Sequence, residues 1–154
     1  MAVELIRFAE KCGIVVETWD FKPPLEAVYR YIPGYPPVIG LSKSLLDTHG
    51  RAYFRCVFAE ELGHHFTSAG YAIPVMCFHY ADRLQISKTE YLAQKWAAMF
   101  LMPRDDVLNA IRQSINEIWE LAEYFDVTEA FARFRMELPD VRLYQQKNKL
   151  TVVF

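Results

Sequence analysis

The chain opens with apolar residues at Val3, Leu5, Ile6, Phe8 and Ala9, followed by Gly13. That spacing predicts a short helix over Val3–Cys12 with a glycine stop. The pattern then shifts. Ile14–Trp19 is β-branched and aromatic, and so are Ala27–Ile32 and Pro37–Leu41, which flank Pro33-Gly34-Tyr35-Pro36. These runs predict three strands in a small antiparallel sheet, the last two joined by a proline–glycine turn.

From Ser42 onward the period is helical. Ser42 is placed to cap a short helix ending near Gly50, and a longer helix follows over Arg51–Ser68. A loop through Gly70 and Pro74 leads to a helix from Lys88 to Leu101, stopped by Pro103. Ser114-Ile115-Asn116-Glu117 has capping-box spacing ahead of an apolar run, and Thr128 can cap a further helix reaching Leu138. Leu150–Phe154 reads as a last strand. No repeat, low-complexity tract or linker divides the chain. The expectation is an α+β fold in one domain over residues 1–154. Within it, 1–41 form a helix and the small sheet, 42–103 a helix pair, and 104–154 a helical C-terminal region with its tail.

At 154 residues and 53% hydrophobic composition, the chain can bury a sizeable core. A net charge of −2 supplies no general attraction to nucleic acid or anionic membrane. Cys12, Cys56 and Cys77 are odd in number and scattered, which fits neither a disulfide framework nor a C-x-x-C metal site and suits a reducing compartment. Glu4, Arg7, Glu10 and Lys11 interrupt any signal-peptide run. The uncharged stretches Tyr31–Ser42 and Thr67–Ala81 are short and broken by prolines, so neither could span a bilayer. A cytoplasmic protein is expected.

The Arg51–Ser68 helix carries the chemistry. Ala52, Tyr53, Phe54, Cys56, Val57, Phe58, Ala59, Leu62 and Phe66 leave it no clean polar face, so it should be buried on most sides. Yet Glu60, Glu61, His64 and His65 sit in its middle. Buried carboxylates need compensation, either from a basic residue such as Arg55 or from a bound cation. The sequence EELGHHF favours the cation. A metallopeptidase helix sets two ligands at i and i+4 on one face and a glutamate general base at i+1. Glu60 and His64 take the ligand places and Glu61 takes the base, while Gly63 removes a side chain beside them. The shifted register, Glu61 with His65, would put Leu62 where the base belongs. His65 therefore reads as a supporting or packed histidine.

A catalytic site needs a third protein ligand and an open fourth position. Glu90 is the best candidate, opening the segment EYLAQKWAAMFLMP, whose small alanines would let it approach the Gly63 helix. The plainer role for Glu90 is a first-turn glutamate favoured by the helix dipole. His79 and Tyr80 precede that helix and are loose candidates for stabilising an oxyanion, with packing the simpler alternative.

Taken together, AEELGHHFTSAG followed by ExxAxxWAAxFLMP resembles the active-site pair of the ImmA/IrrE family of metallopeptidases, and LAEYFDVTEAFARFRMEL resembles its C-terminal region. The likeness runs from Leu41 to Leu138. The usual form begins HELGH. Here Glu60 replaces the first histidine, a variant similar to the phage- and mobile-element-associated branch. Two carboxylates with one imidazole are a harder ligand set, weaker for zinc and more tolerant of manganese. The resemblance implies metal-assisted peptide hydrolysis with Glu61 as base, acting on a helix-turn-helix transcriptional repressor to relieve repression. The Ala27–Leu41 hairpin could offer a sheet edge to the substrate.

Two rival functions compete. LAEYFDVTEAFARFRMEL also has the length and turn of a DNA-binding helix-turn-helix, with Arg133 and Arg135 on its second helix. Glu129, Glu137 and the acidic balance weigh against it. The other rival is an inactive protein that binds a repressor without cutting it, supported by the Glu60 departure.

Overall fold

The computed structural model describes residues 3–48, 50–67 and 80–148, with 46–48 and 80–87 described by their backbone alone. Helix α1 (Val3–Lys11) buries Leu5 and Ala9. It ends where Gly13 adopts φ +76°, donating its N–H to the Glu10 carbonyl while Ile14 donates to Ala9, both at 3.0 Å. This Schellman turn needs a residue that tolerates positive φ, which is why glycine stops the helix there.

Strands β1 (Val15–Trp19), β2 (Ala27–Arg30) and β3 (Val38–Ser42) form a sheet in the order β1-β3-β2. The expected turn does join β2 to β3 as an antiparallel pair, but β1 runs parallel to β3. The sheet is mixed, which corrects the antiparallel expectation. Strand patterning fixes which face a side chain takes, not which neighbour the strand pairs with. Residues 20–26 carry the chain past the slot that β3 later fills, so β1 and β3 point the same way. One consequence is that β2 lies at an edge of the sheet. The register sets Val16, Ile39 and Tyr29 in one row across the sheet, and the buried Ile39 marks that face as the one turned to the core. On the other face the Trp19 indole covers Gly40, where a Cβ would lie 2.5 Å from the nearest ring atom.

Ser42 caps α2 (Lys43–Thr48), its Oγ accepting the Ser44 N–H at 3.2 Å. Helix α3 (Gly50–Thr67) follows, and α4 (Tyr80–Leu101) packs along it. Helix α4 starts earlier than Lys88, because Ala81–Ser87 contains good helix formers and no glycine or proline. Tyr80 is its first residue. The loop through Gly70 and Pro74, and His79 with it, lie outside the described residues.

The C-terminal region holds helices α5 (Arg104–Arg112), α6 (Ile118–Phe125), α7 (Glu129–Glu137) and α8 (Pro139–Asn148). The capping box falls three residues later than its sequence signature. Ser114 has φ +67° and closes α5, with the Ile115 N–H reaching the Ala110 carbonyl at 3.1 Å. Glu117 starts α6, and the Glu120 carboxylate accepts its N–H at 3.2 Å. Thr128 caps α7 as expected, its Oγ1 accepting from the Phe131 N–H at 3.2 Å. Leu150–Phe154 lie outside the described residues. Among those described, no helix is long and apolar enough to cross a membrane.

Two polar ties join this region to the site helices. Arg55 donates from Nε to the Asp126 carbonyl at 3.0 Å and pairs with its carboxylate at 3.4 Å. Arg135 is fully buried, yet donates to the Met102 carbonyl at the end of α4 and grips Asp140 at 2.9 and 2.8 Å.

Cys56, buried on α3, accepts the Thr128 N–H at 3.5 Å, and burial pushes its thiol up to about 11. The thiolate is the reactive form. At pH 8, iodoacetamide should therefore modify the exposed Cys12 well before Cys56, as read by peptide-level mass spectrometry. Equal rates for the two would contradict this burial.

Candidate active site

Helix α3 is buried through Phe54, Cys56, Phe58, Ala59, Leu62 and Gly63, and its two glutamates and two histidines stand in two stripes. Positions four apart share a helix face, so Glu60 lies over His64 and Glu61 over His65. The first stripe meets α4. His64 Nε2 lies 3.3 Å from Glu90 Oε2. What allows this approach is Gly63, since a Cβ there would fall 2.8 Å from the carbonyl carbon of Ala93 on α4. The small residues Ala93 and Ala97 are buried in the same contact. Glu90 sits in the middle of α4 rather than opening it, which removes the first-turn dipole role as its explanation.

The second stripe meets the sheet. His65 Nδ1 is 3.0 Å from the Tyr29 hydroxyl, and the two rings are edge-to-face at 5.6 Å. The Tyr29 backbone amide faces Glu61 and lowers its pKa. Sequence reasoning missed Tyr29, because an aromatic residue in a strand usually signals packing alone. The register alternative it rejected, Glu61 with His65, is occupied by contact with β2.

Arg55 does not compensate the glutamates, since it is committed to Asp126. The electrostatics follow from that. Burial raises the pKa of Glu60, helped by the charge of Glu90 and opposed by His64. Burial pushes Glu61 up to about 7, against the lowering pull of His64 and the Tyr29 amide. Burial also pulls the His64 pKa down, but the hydrogen bond to Glu90 and the fields of the surrounding glutamates outweigh it, so the net shift is upward. Glu90 is lowered, first by that same hydrogen bond. His65 is lowered by burial. At the far end of the helix, Tyr53 donates to Glu26 at 2.5 Å.

An imidazole lone pair facing a carboxylate at 3.3 Å requires a proton or a cation between them. One imidazole and two carboxylates suit a divalent ion of intermediate hardness. Among the described residues, no group of three or more His, Cys, Asp or Glu side chains is gathered to metal-ligating distances. Glu60, His64 and Glu90 are a compatible donor set, with His64 and Glu90 already in contact and the charges of both felt at Glu60.

The model of the peptidase family described as the IrrE N-terminal-like domain matches residues 9–137. No curated protein and no solved structure matches the chain. A match that runs from the end of α1 to the end of α7, and takes in the whole α3–α4 pair, makes this chain a member of the ImmA/IrrE peptidase family.

Proposed function

We propose that the protein is a metal-dependent endopeptidase that cuts a helix-turn-helix transcriptional repressor in the cytoplasm and so relieves repression. The observation that carries this reading is the approach of His64 to Glu90 across the Gly63–Ala93 contact, with the half-buried Glu61 one turn away. Family membership makes peptide hydrolysis the relevant chemistry. A zinc ion, or manganese in its place, held by Glu60, His64 and Glu90 would polarise the scissile carbonyl and acidify a water. Glu61 accepts the proton from the attacking water and hands it to the departing amine. Burial, which favours the protonated carboxyl, helps Glu61 hold the proton between the two halves of that transfer. The edge position of β2 gives an extended substrate segment a row of backbone partners beside α3.

The DNA-binding alternative loses one of its two cations, because Arg135 is buried and paired with Asp140. Phosphate contacts need several exposed cations, and the exposed α7 positions Glu129 and Glu137 repel them. The binding-only alternative draws on Glu60, which stands where the family's usual motif has a histidine. Two measurements separate it from catalysis. Elemental analysis of purified protein should find one divalent ion per chain, with little retained in His64→Ala or Glu90→Ala. Unchanged occupancy in both variants would dismiss the ligand assignment. Co-expression with a repressor encoded nearby should yield discrete fragments, lost on treatment with chelator, while casein is cut slowly. An intact repressor despite bound metal would leave only binding.

A further inference from the structure

We infer that Tyr29 is a positioning residue for Glu61, acting as a two-point clamp between the edge strand and the site helix; this rests on the peptidase reading above. Glu61 and His65 are four apart and share the face of α3 turned to the sheet. Tyr29 faces both: its hydroxyl lies 3.0 Å from His65 Nδ1, and its backbone amide is turned to Glu61 and lowers its pKa. The register places Tyr29 in the same row as the buried Ile39, so its side chain stands on the sheet face that packs on the helix.

Two fixed points four residues apart set the rotation of a helix about its own axis. That rotation decides where Glu61 points relative to the Glu60–His64 stripe on the neighbouring face. Gly63 fixes the depth of the helix against α4, but a glycine cannot fix its rotation. The clamp also makes the edge strand part of the catalytic geometry. Any substrate segment lying along β2 is registered against the same residue that orients the base. Tyr29 need not touch the reacting atoms to do this.

Tyr29→Phe tests the clamp, because it removes only the hydroxyl and keeps the ring, the strand and the amide. The full chain would be assayed with zinc on a random library of quenched fluorescent peptides. Turnover should fall roughly ten- to hundredfold, as for other outer supports of catalytic groups, with KM and melting temperature unchanged. His65→Phe should produce the same loss, and the double variant should be no worse than either single one. A second readout needs no turnover. NMR of protein labelled at histidine and glutamate should show the His65 Nδ1 and Glu61 carboxyl resonances moving together in Tyr29→Phe. Unmoved Glu61 signals, additive losses, or a lower melting temperature with unchanged turnover would overturn the clamp. If the wild type cuts no peptide in the library, the peptidase reading is what fails, and the paired resonances still decide the clamp.

Discussion

Replacing Glu61 with glutamine should remove most peptidase activity and, in chelator-treated protein above pH 7, make the fold more stable. Both effects have one cause. Burial lifts the Glu61 carboxyl from 4.5 to about 7, so the folded protein holds a proton there that the unfolded chain has released. Below about pH 4.5 both states are protonated and the group costs nothing. As pH rises toward 7, the unfolded chain ionises first and stability falls. Beyond 7 the full cost is present, up to about 3 kcal/mol for a shift of this size. Glutamine keeps the shape, cannot ionise, and escapes that cost. It also cannot accept a proton, so turnover should drop by about 10²–10⁴. Urea unfolding at pH 5 and pH 8 measures the first effect: the wild type should lose clearly more stability between them than Glu61→Gln, which keeps only the smaller contributions of Glu60 and His64. Parallel curves for the two proteins would mean that Glu61 is well solvated. In wild type, turnover should rise with pH as Glu61 ionises, since only the carboxylate is a base, with a midpoint below the metal-free value of about 7 because the cation favours the ionised form.

That prediction starts from a glutamate that was legible in the sequence, and the reason is periodicity. Two glutamates and two histidines clustered in a mostly apolar helix cannot all be solvated together, so EELGHHF marked a candidate site from the sequence alone. Glu90 was legible for the same reason, through alanines that only make sense against a close neighbour. Helix ends set by one residue were also readable, as with Gly13, Ser42 and Thr128. What sequence could not supply was choice among equivalent local options. Alternation does not say that β1 runs parallel to β3, and Ser114 could open a helix or close one. Tyr29 belongs to the same class of omission. Its importance comes from sheet order, which places β2 at the edge beside α3, and no property of the residue itself reveals that.

Arg135 is the clearest case of a residue whose type misleads until its surroundings are known, and it should be among the most damaging to change. It reads as a surface cation on an amphipathic helix, yet it is fully buried. Its guanidinium donates to the Met102 carbonyl at 2.8 Å and to both oxygens of Asp140 at 2.9 and 2.8 Å. One side chain thus holds the end of α4, the body of α7 and the start of α8 together. Removing it would leave a carbonyl and a carboxylate without their donor. Arg135→Met should cost about 3–5 kcal/mol, a penalty typical of an orphaned buried partner. For a chain of this size that lowers the melting temperature by roughly 10 °C. Arg135→Lys should recover little, because an ammonium cannot offer a planar fork to the carboxylate while also donating to Met102. Relief should instead come from the partner: in Arg135→Met, a second change of Asp140→Leu removes the stranded charge and should regain part of the loss. Because α4 carries Glu90, the destabilised variants should also lose the His64–Glu90 contact at lower temperature than the wild type does. Thermal unfolding of the single and double variants, followed by circular dichroism, measures the cost and its relief together. If Arg135→Lys melts with the wild type, simple charge suffices at this position and the three-way grip is not what holds the C-terminal helices to α4.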